Sequence, residues 1–89
     1  MTEADDVKRK RLHMRSMRRG IKEMDLILTD FATRHLAAMA APELDLYDAL
    51  LSENDHDLYA WVSGQTTAPA RYGDLIARIA KGARGVTRP

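Results

Sequence analysis

Residues 21–39 read IKEMDLILTDFATRHLAAM, and this stretch decides the fold. Its apolar residues recur at intervals of three and four, which is the spacing of one face of an α-helix. The face consists of Ile21, Met24, Leu28, Phe31, Ala32, His35 and Met39. The pattern predicts an amphipathic core helix from Ile21 to about Ala38, with His35 as a packing residue on its apolar face.

Proline and glycine divide the rest of the chain into four further helices. Pro42 suits the first turn of a helix, and Gly64 is suited to end one. No segment alternates apolar and polar residues as a half-buried strand would. The additional helices are predicted over Asp6–Arg18, Glu43–Glu53 and His56–Ser63, and from Pro69 to an end around Gly82 and Gly85.

The length of 89 residues fits one domain and leaves little volume for an enclosed active site. We predict an all-α fold, a single compact five-helix bundle that occupies residues 1–89 as one domain. The folded part is expected over about 6–82, with flexible tails at about 1–5 and 84–89.

The first predicted helix is strongly cationic. Arg11, Arg15 and Arg18 follow one another at intervals of four and three residues, which places them on one helical face. The apolar stripe of this helix is thin by comparison. It consists of Val7, Met14 and Met17, with Leu12 apart.

Charge is distributed in blocks, although the net charge is only +1. The segment 8–22 contains eight Lys and Arg residues and no acid, whereas the segment 23–60 contains nine acids and one base, Arg34. Such a dipolar chain favours oriented docking on a partner. The alternative is a small helical nucleic-acid-binding or regulatory protein that uses the basic first helix. Against it, Glu23, Asp25 and Asp30 would face the DNA phosphates.

Several kinds of site are excluded by the sequence. There is no cysteine, and His13, His35 and His56 are too far apart to form a local pair of metal ligands. The five glycines stand singly, so neither a P-loop nor a GxGxxG loop is present. No apolar run approaches the roughly 20 residues that a bilayer requires. We expect no metal, no stably bound cofactor and no membrane insertion.

Residues 17–25, MRRGIKEMD, form the corner before the core helix. Glycine tolerates positive φ, so Gly20 is predicted to turn the chain sharply there. Glu23 would then lie near the positive N-terminus of the core helix. An exposed corner with an arginine and a glutamate about one turn apart is suited to charge-assisted hydrogen bonds with a partner.

These residues resemble the succinate dehydrogenase assembly factors of the flavinylation type, the SdhE type. Arg19-Gly20-Ile21-Lys22-Glu23 fits the RGxxE signature of that family at the junction of its first two helices. The resemblance runs from about Arg9 to Lys81 and includes the doubled arginine before the glycine. It also includes Asp57-Leu58-Tyr59-Ala60-Trp61 after an acidic segment. Ile21 stands where many relatives have methionine, at a position that the motif leaves free.

The resemblance implies a five-helix bundle that binds the flavoprotein subunit of succinate dehydrogenase, and of fumarate reductase in some bacteria. It implies a maturation factor rather than an enzyme, one that promotes covalent attachment of FAD to a histidine of its client. FAD and histidine would both belong to the client. The implied client-binding residues are Arg19, Gly20 and Glu23, extended by Arg11, Arg15, Arg18 and Asp25.

The expected setting is a bacterial cytoplasm, with the free protein a monomer that binds no nucleic acid. The absence of cysteine suits a reducing compartment. Glu3, Asp5 and Asp6 are acids of a kind that a mitochondrial transit peptide avoids.

Overall fold

The computed structural model describes residues 4–86, with side chains described as far as Ala83. It contains five α-helices and, within this range, no strand, so the predicted all-α five-helix fold is confirmed. The helices are α1 (Asp5–Arg15), α2 (Lys22–His35), α3 (Ala41–Leu51), α4 (Asp55–Val62) and α5 (Gly73–Val86). Short 3-10 turns follow α2 at Leu36–Ala38 and precede α5 at Ala70–Tyr72.

The predicted flexible tails fall mostly outside the described part of the chain. Residues 1–3 and 87–89 belong to that undescribed remainder. Within the described range, α1 begins at Asp5 and α5 runs to Val86, so helix extends beyond the expected limits of 6 and 82 at both ends.

Helix α2 is the central element of the bundle. It packs against α1, α4 and α5, while α3 lies on α1 and α4 lies on α5. Its buried residues are Met24, Ile27, Leu28, Phe31 and Ala32. The ring of His35 lies 4.7 Å from that of Phe31, centroid to centroid, as a packing residue would. Each large apolar side chain buried in this way stabilises the fold by about 1.5–3 kcal/mol.

The other helices complete one continuous core around α2. Their buried residues are Leu12, Leu44, Tyr47, Leu50, Leu51, Leu58, Val62, Leu75, Ile76, Ile79 and Ala83, joined by Leu36, Met39 and Tyr72 from the connections. Tyr59 and Trp61 pack against its edge as partly buried side chains.

Local signals set the ends of the later helices. The Asn54 side chain accepts a hydrogen bond of 2.8 Å from the His56 N–H and caps α4. Gly64 follows α4 with a φ of 82°, as its predicted role in ending that helix requires. At the start of α3, Pro42 lies in the first turn and Glu43 accepts a hydrogen bond of 3.2 Å from the Ala40 N–H.

Helix α1 differs from the prediction in its length and in its inward face. It ends at Arg15 rather than Arg18, because the chain turns at residues 16–18 and Arg18 has a φ of 54°. Leu12 is the buried residue, whereas the predicted stripe is exposed. Its exposed fractions are 56 % for Val7, 73 % for Met14 and 42 % for Met17.

A buried hydrogen-bond chain fixes the end of α1 to α3. The Ser16 hydroxyl is fully buried and donates to the Leu12 carbonyl at 2.8 Å. Since its one hydrogen is used there, Tyr47 is the donor in the 2.6 Å contact between the two hydroxyl oxygens. Burial raises the pKa of Tyr47 to about 12, so this hydroxyl is protonated at neutral pH and available to donate.

We predict that Ser16→Ala destabilises the protein more than Tyr47→Phe does. The serine variant leaves a buried tyrosine hydroxyl without its acceptor, at a cost of about 1–3 kcal/mol, whereas the phenylalanine variant loses one net hydrogen bond, about 1 kcal/mol. The double variant should resemble Tyr47→Phe alone. Urea unfolding measures all three free energies, and the opposite order would contradict the assignment of Tyr47 as donor.

Candidate functional site

The corner between α1 and α2, residues 16–23, turns Arg19 inward. Its guanidinium donates to the Asp55 carboxylate at 2.9 Å, to the Arg15 carbonyl at 2.9 Å and to the Leu51 carbonyl at 3.1 Å. Only 11 % of the Arg19 side chain is exposed. Arg19 therefore connects α1, α3 and α4 within the molecule.

Asp55 holds two consecutive residues of the corner. One carboxylate oxygen binds Arg19, and the other accepts the Gly20 backbone N–H at 2.6 Å. Asp55 is the first residue of α4, where the positive end of the helix dipole favours a carboxylate. We call the contacts among Arg19, Gly20 and Asp55 the Asp55 clasp.

Close packing, and not the predicted positive φ, explains why position 20 is a glycine. Arg18, two residues earlier, takes the left-handed conformation instead. A Cβ atom on Gly20 would lie 3.0 Å from Oδ2 of Asp55, which is closer than carbon and oxygen ordinarily approach. A side chain at position 20 would therefore displace the carboxylate that the Gly20 N–H binds by a few tenths of an ångström.

Three charged side chains of the corner point away from the clasp. Arg18, Lys22 and Glu23 are exposed, and none forms a hydrogen bond or ion pair with another described residue. Glu23 lies in the first turn of α2, as predicted. The Asp55 clasp fixes the backbone next to these three residues. Their charged side chains are therefore presented to solvent from a backbone of defined geometry.

The predicted cationic face of α1 is largely occupied within the molecule. Arg11 donates to the Asp48 carboxylate at 2.8 Å, and Arg15 binds the same carboxylate and the Ser52 hydroxyl. The hydrogen bond from Arg11, with the charges of Arg15 and Lys8 nearby, holds the pKa of Asp48 below its ordinary value. Of the three predicted arginines, only Arg18 points outward.

These contacts decide against the nucleic-acid alternative. Lys8 binds Asp45, and Arg11 and Arg15 bind Asp48, so three cations of α1 are already paired with α3. Binding a phosphate backbone would require breaking these ion pairs.

Asp25, the remaining predicted residue, is half-buried, and its side chain interacts within α2. Its carboxylate accepts a hydrogen bond of 3.3 Å from the Thr29 hydroxyl, one turn along the helix. The Ser16 carbonyl lies 3.4 Å from the same hydroxyl and is an alternative acceptor for its one hydrogen.

Asp55 is the residue that sequence reasoning did not assign to the site. It stands in the acidic run of Glu53, Asp55 and Asp57, whose members have separate roles in the structure. Glu53 accepts the Tyr72 hydroxyl at 2.9 Å, whereas Asp57 is exposed. The available signal was an acid directly after the helix cap Asn54, but its partner lies 36 residues away along the chain.

The described residues include no group of three or more His, Cys, Asp or Glu side chains arranged to hold a metal ion. Among the same residues, no helix has both the length and the apolar composition needed to span a bilayer.

The fold and the corner define a small helical module whose candidate site is a charged surface for a protein partner. Residues 10–83 match the family model described as flavinator of succinate dehydrogenase. The chain therefore belongs to the family of succinate dehydrogenase flavinators.

Named relatives agree with this assignment. Proteins called succinate dehydrogenase assembly factor 2, mitochondrial, are 52 % identical over 63 residues in Candida glabrata and 51 % identical over 82 residues in Komagataella phaffii. These matches cover 71 % and 86 % of this chain but only 41 % and 43 % of the relatives. A Drosophila yakuba protein, assembly factor 2-A, is 36 % identical over 89 residues, which cover 93 % of this chain and 55 % of the relative.

The chain thus spans about half the length of the curated relatives that it matches. The expectation of a bacterial cytoplasmic protein is wrong, because these relatives are mitochondrial proteins of yeasts and a fly. The acidic residues near position 1, taken as a sign against a mitochondrial protein, were not informative.

We predict that Asp55→Ala destabilises the protein by about 2 kcal/mol, since it leaves the mostly buried Arg19 guanidinium without its carboxylate. Asp57→Ala is the matched control, because Asp57 also lies in the first turn of α4 but is exposed. It should cost less than about 1 kcal/mol, the contribution of a carboxylate at a helix N-terminus. Equal losses in urea unfolding would contradict the clasp.

We also predict that the cost of Gly20→Ala depends on Asp55. With Asp55 present, the new Cβ pushes Oδ2 away from the Gly20 N–H and costs about 1 kcal/mol. In an Asp55→Ala background the same change should be neutral or stabilising, since alanine restricts the unfolded chain. A double-mutant cycle measured by urea unfolding gives this coupling, and strict additivity would argue against it.

Proposed function

We propose that this protein is an assembly factor that binds the flavoprotein subunit of succinate dehydrogenase and promotes covalent attachment of FAD to it. It acts as a maturation factor and is not an enzyme in its own right. Family membership supports the proposal, together with relatives that are named succinate dehydrogenase assembly factors. The observation that favours the corner as the contact site is Glu23, an exposed carboxylate without an intramolecular partner among the described residues.

The role of the clasp in this function is to hold the corner in one geometry. Arg19 and Gly20 are fixed by Asp55 on α4, so the backbone that leads to Glu23 is held at two consecutive residues. A contact group held in advance loses less conformational freedom on binding, which leaves more of its interaction energy for affinity. Glu23 would accept charge-assisted hydrogen bonds from the client, and Lys22 would donate them.

We place FAD in the client and not in this chain. The glycines of the chain are isolated, and the sequence offers no loop of consecutive backbone N–H groups for a pyrophosphate. When bound to the client, the flavin would supply the electrophile for the attachment, and a client histidine would supply the nucleophile. The factor would position the client around these groups, since correct orientation alone removes a large part of a reaction barrier.

Two finer points belong to the same proposal. The flavoprotein subunit of fumarate reductase is a second client, because it presents the same chemical problem of attaching FAD to a histidine. The free factor is a monomer that associates with its client through the corner.

The proposal is tested by flavinylation of the purified apo flavoprotein subunit of succinate dehydrogenase, followed by in-gel flavin fluorescence. We expect Glu23→Ala to remain folded and to weaken client binding about 10- to 100-fold, the loss expected for a charge-assisted hydrogen bond. Flavinylation at limiting factor concentration should fall in parallel. The same assay with the fumarate reductase subunit tests the second client.

Asp57→Ala serves as the control, because it removes an exposed carboxylate from the first turn of a different helix. It should leave binding and flavinylation close to those of the unchanged protein. If the unchanged protein neither binds the subunit nor increases its covalent flavin, the proposed function is wrong.

A further inference from the structure

We propose that the client is recognised by an apolar patch beside the motif, formed by Met14, Met17 and Arg18, which we call the methionine patch. This inference rests on the proposed function and adds contact residues to it. The expected occupant is a surface of the flavoprotein subunit with an apolar pocket and a carboxylate at its rim. Met17 and Arg18 belong to the same corner, residues 16–23, as Lys22 and Glu23.

Exposure is the first observation. Within the described chain, the large apolar side chains left exposed are Val7, Met14, Met17 and Leu26. Three of these four lie at the end of α1, in the corner, or in the first turns of α2. Met14 is the most exposed of them, at 73 %. Clustered exposed apolar groups of this kind mark binding surfaces.

Shape is the second observation. Met14, Met17 and Arg18 line a shallow concavity of about 270 Å³ on the surface of the protein. Methionine and arginine are both enriched at protein–protein interfaces, methionine because its flexible side chain adapts to an irregular partner surface. The lining thus combines two adaptable apolar side chains with one cation.

The backbone of Arg18 is the third observation. Its φ of 54° lies in the left-handed region, which costs a residue other than glycine about 1 kcal/mol. The Arg18 side chain is exposed and forms no hydrogen bond or ion pair with a described residue. No contact of this side chain with the described residues therefore compensates for the backbone cost. A glycine would adopt this left-handed conformation at a lower free-energy cost. The presence of an arginine is therefore explained by a contact of its side chain with a partner.

Continuity with Glu23 points to the client as the occupant. Leu26 lies three residues after Glu23 and four after Lys22, so all three share one exposed face of α2. Leu26 is 46 % exposed there. A second copy docked symmetrically on the same patch would bring Arg18 and Lys22 close to their own equivalents, and like charges would repel. A client surface with a carboxylate avoids this repulsion.

The test compares affinities of the full chain for the purified apo flavoprotein subunit by isothermal titration calorimetry. The double variant Met14→Ser, Met17→Ser should raise Kd at least about tenfold, as the loss of a buried interface anchor does. Val7→Ser is the matched control, an exposed apolar residue about 10 Å further back along α1. It should change Kd less than about twofold.

A second variant separates binding from folding. Arg18→Gly removes the side chain and relieves the left-handed backbone, so its Tm should be equal to or above that of the unchanged protein. Its Kd for the client should nevertheless rise about tenfold, the effect of losing a charged interface contact. The control is Lys81→Ala, which removes the charge of an exposed lysine on α5 and should bind normally. Alanine is used there because a glycine inside a helix would itself destabilise the protein.

The outcomes are distinguishable. Normal Kd for both patch variants, alongside impaired binding by Glu23→Ala, would overturn the methionine patch and leave the proposed function intact. Absence of client binding by the unchanged protein would overturn both. If sedimentation shows a dimer that the methionine variants abolish while client affinity is unchanged, the patch serves a second copy and the inference is wrong.

Discussion

The contact between Arg19 and Asp55 is the interaction on which the geometry of the corner depends. It joins the end of the α1 segment to the start of α4 across 36 residues of sequence, and the same guanidinium also donates to carbonyls of α1 and α3. An arginine suits this position because its planar group donates in several fixed directions at once. Lysine would supply the charge but not the same set of directed hydrogen bonds.

The residues of the RGxxE motif have different structural roles. Arg19 and Gly20 face inward and build the corner, whereas Glu23 faces outward from it. A motif read from sequence alone treats its fixed positions as equivalent contact residues. Arg19 and Gly20 both bind Asp55 within the molecule, so loss of function at either residue would not by itself indicate a contact with a partner.

Much of the fold followed from the sequence, because helix signals are local. The spacing of apolar residues on α2, the cap at Asn54 and the stop at Gly64 all depend on residues within a few positions of one another. The inward face of α1 was misjudged because its burial is decided at long range. Arg11 and Arg15 bind Asp48, more than 30 residues away, and this turns Leu12 inward and Met14 outward. For the same reason Asp55 could not be assigned to the site.

The ion pairs between α1 and α3 change the interpretation of the charge blocks in the sequence. Like charges along α1 repel one another, and the acids of α3 relieve that repulsion only when the two helices are side by side. The blocks therefore favour one arrangement of helices, and their composition alone does not identify a binding surface. A candidate contact surface presents several charges that the fold leaves without a partner, close together along the chain. Arg18, Lys22 and Glu23 meet this criterion within a short span, and they lie beside exposed methionines that the core has not taken up.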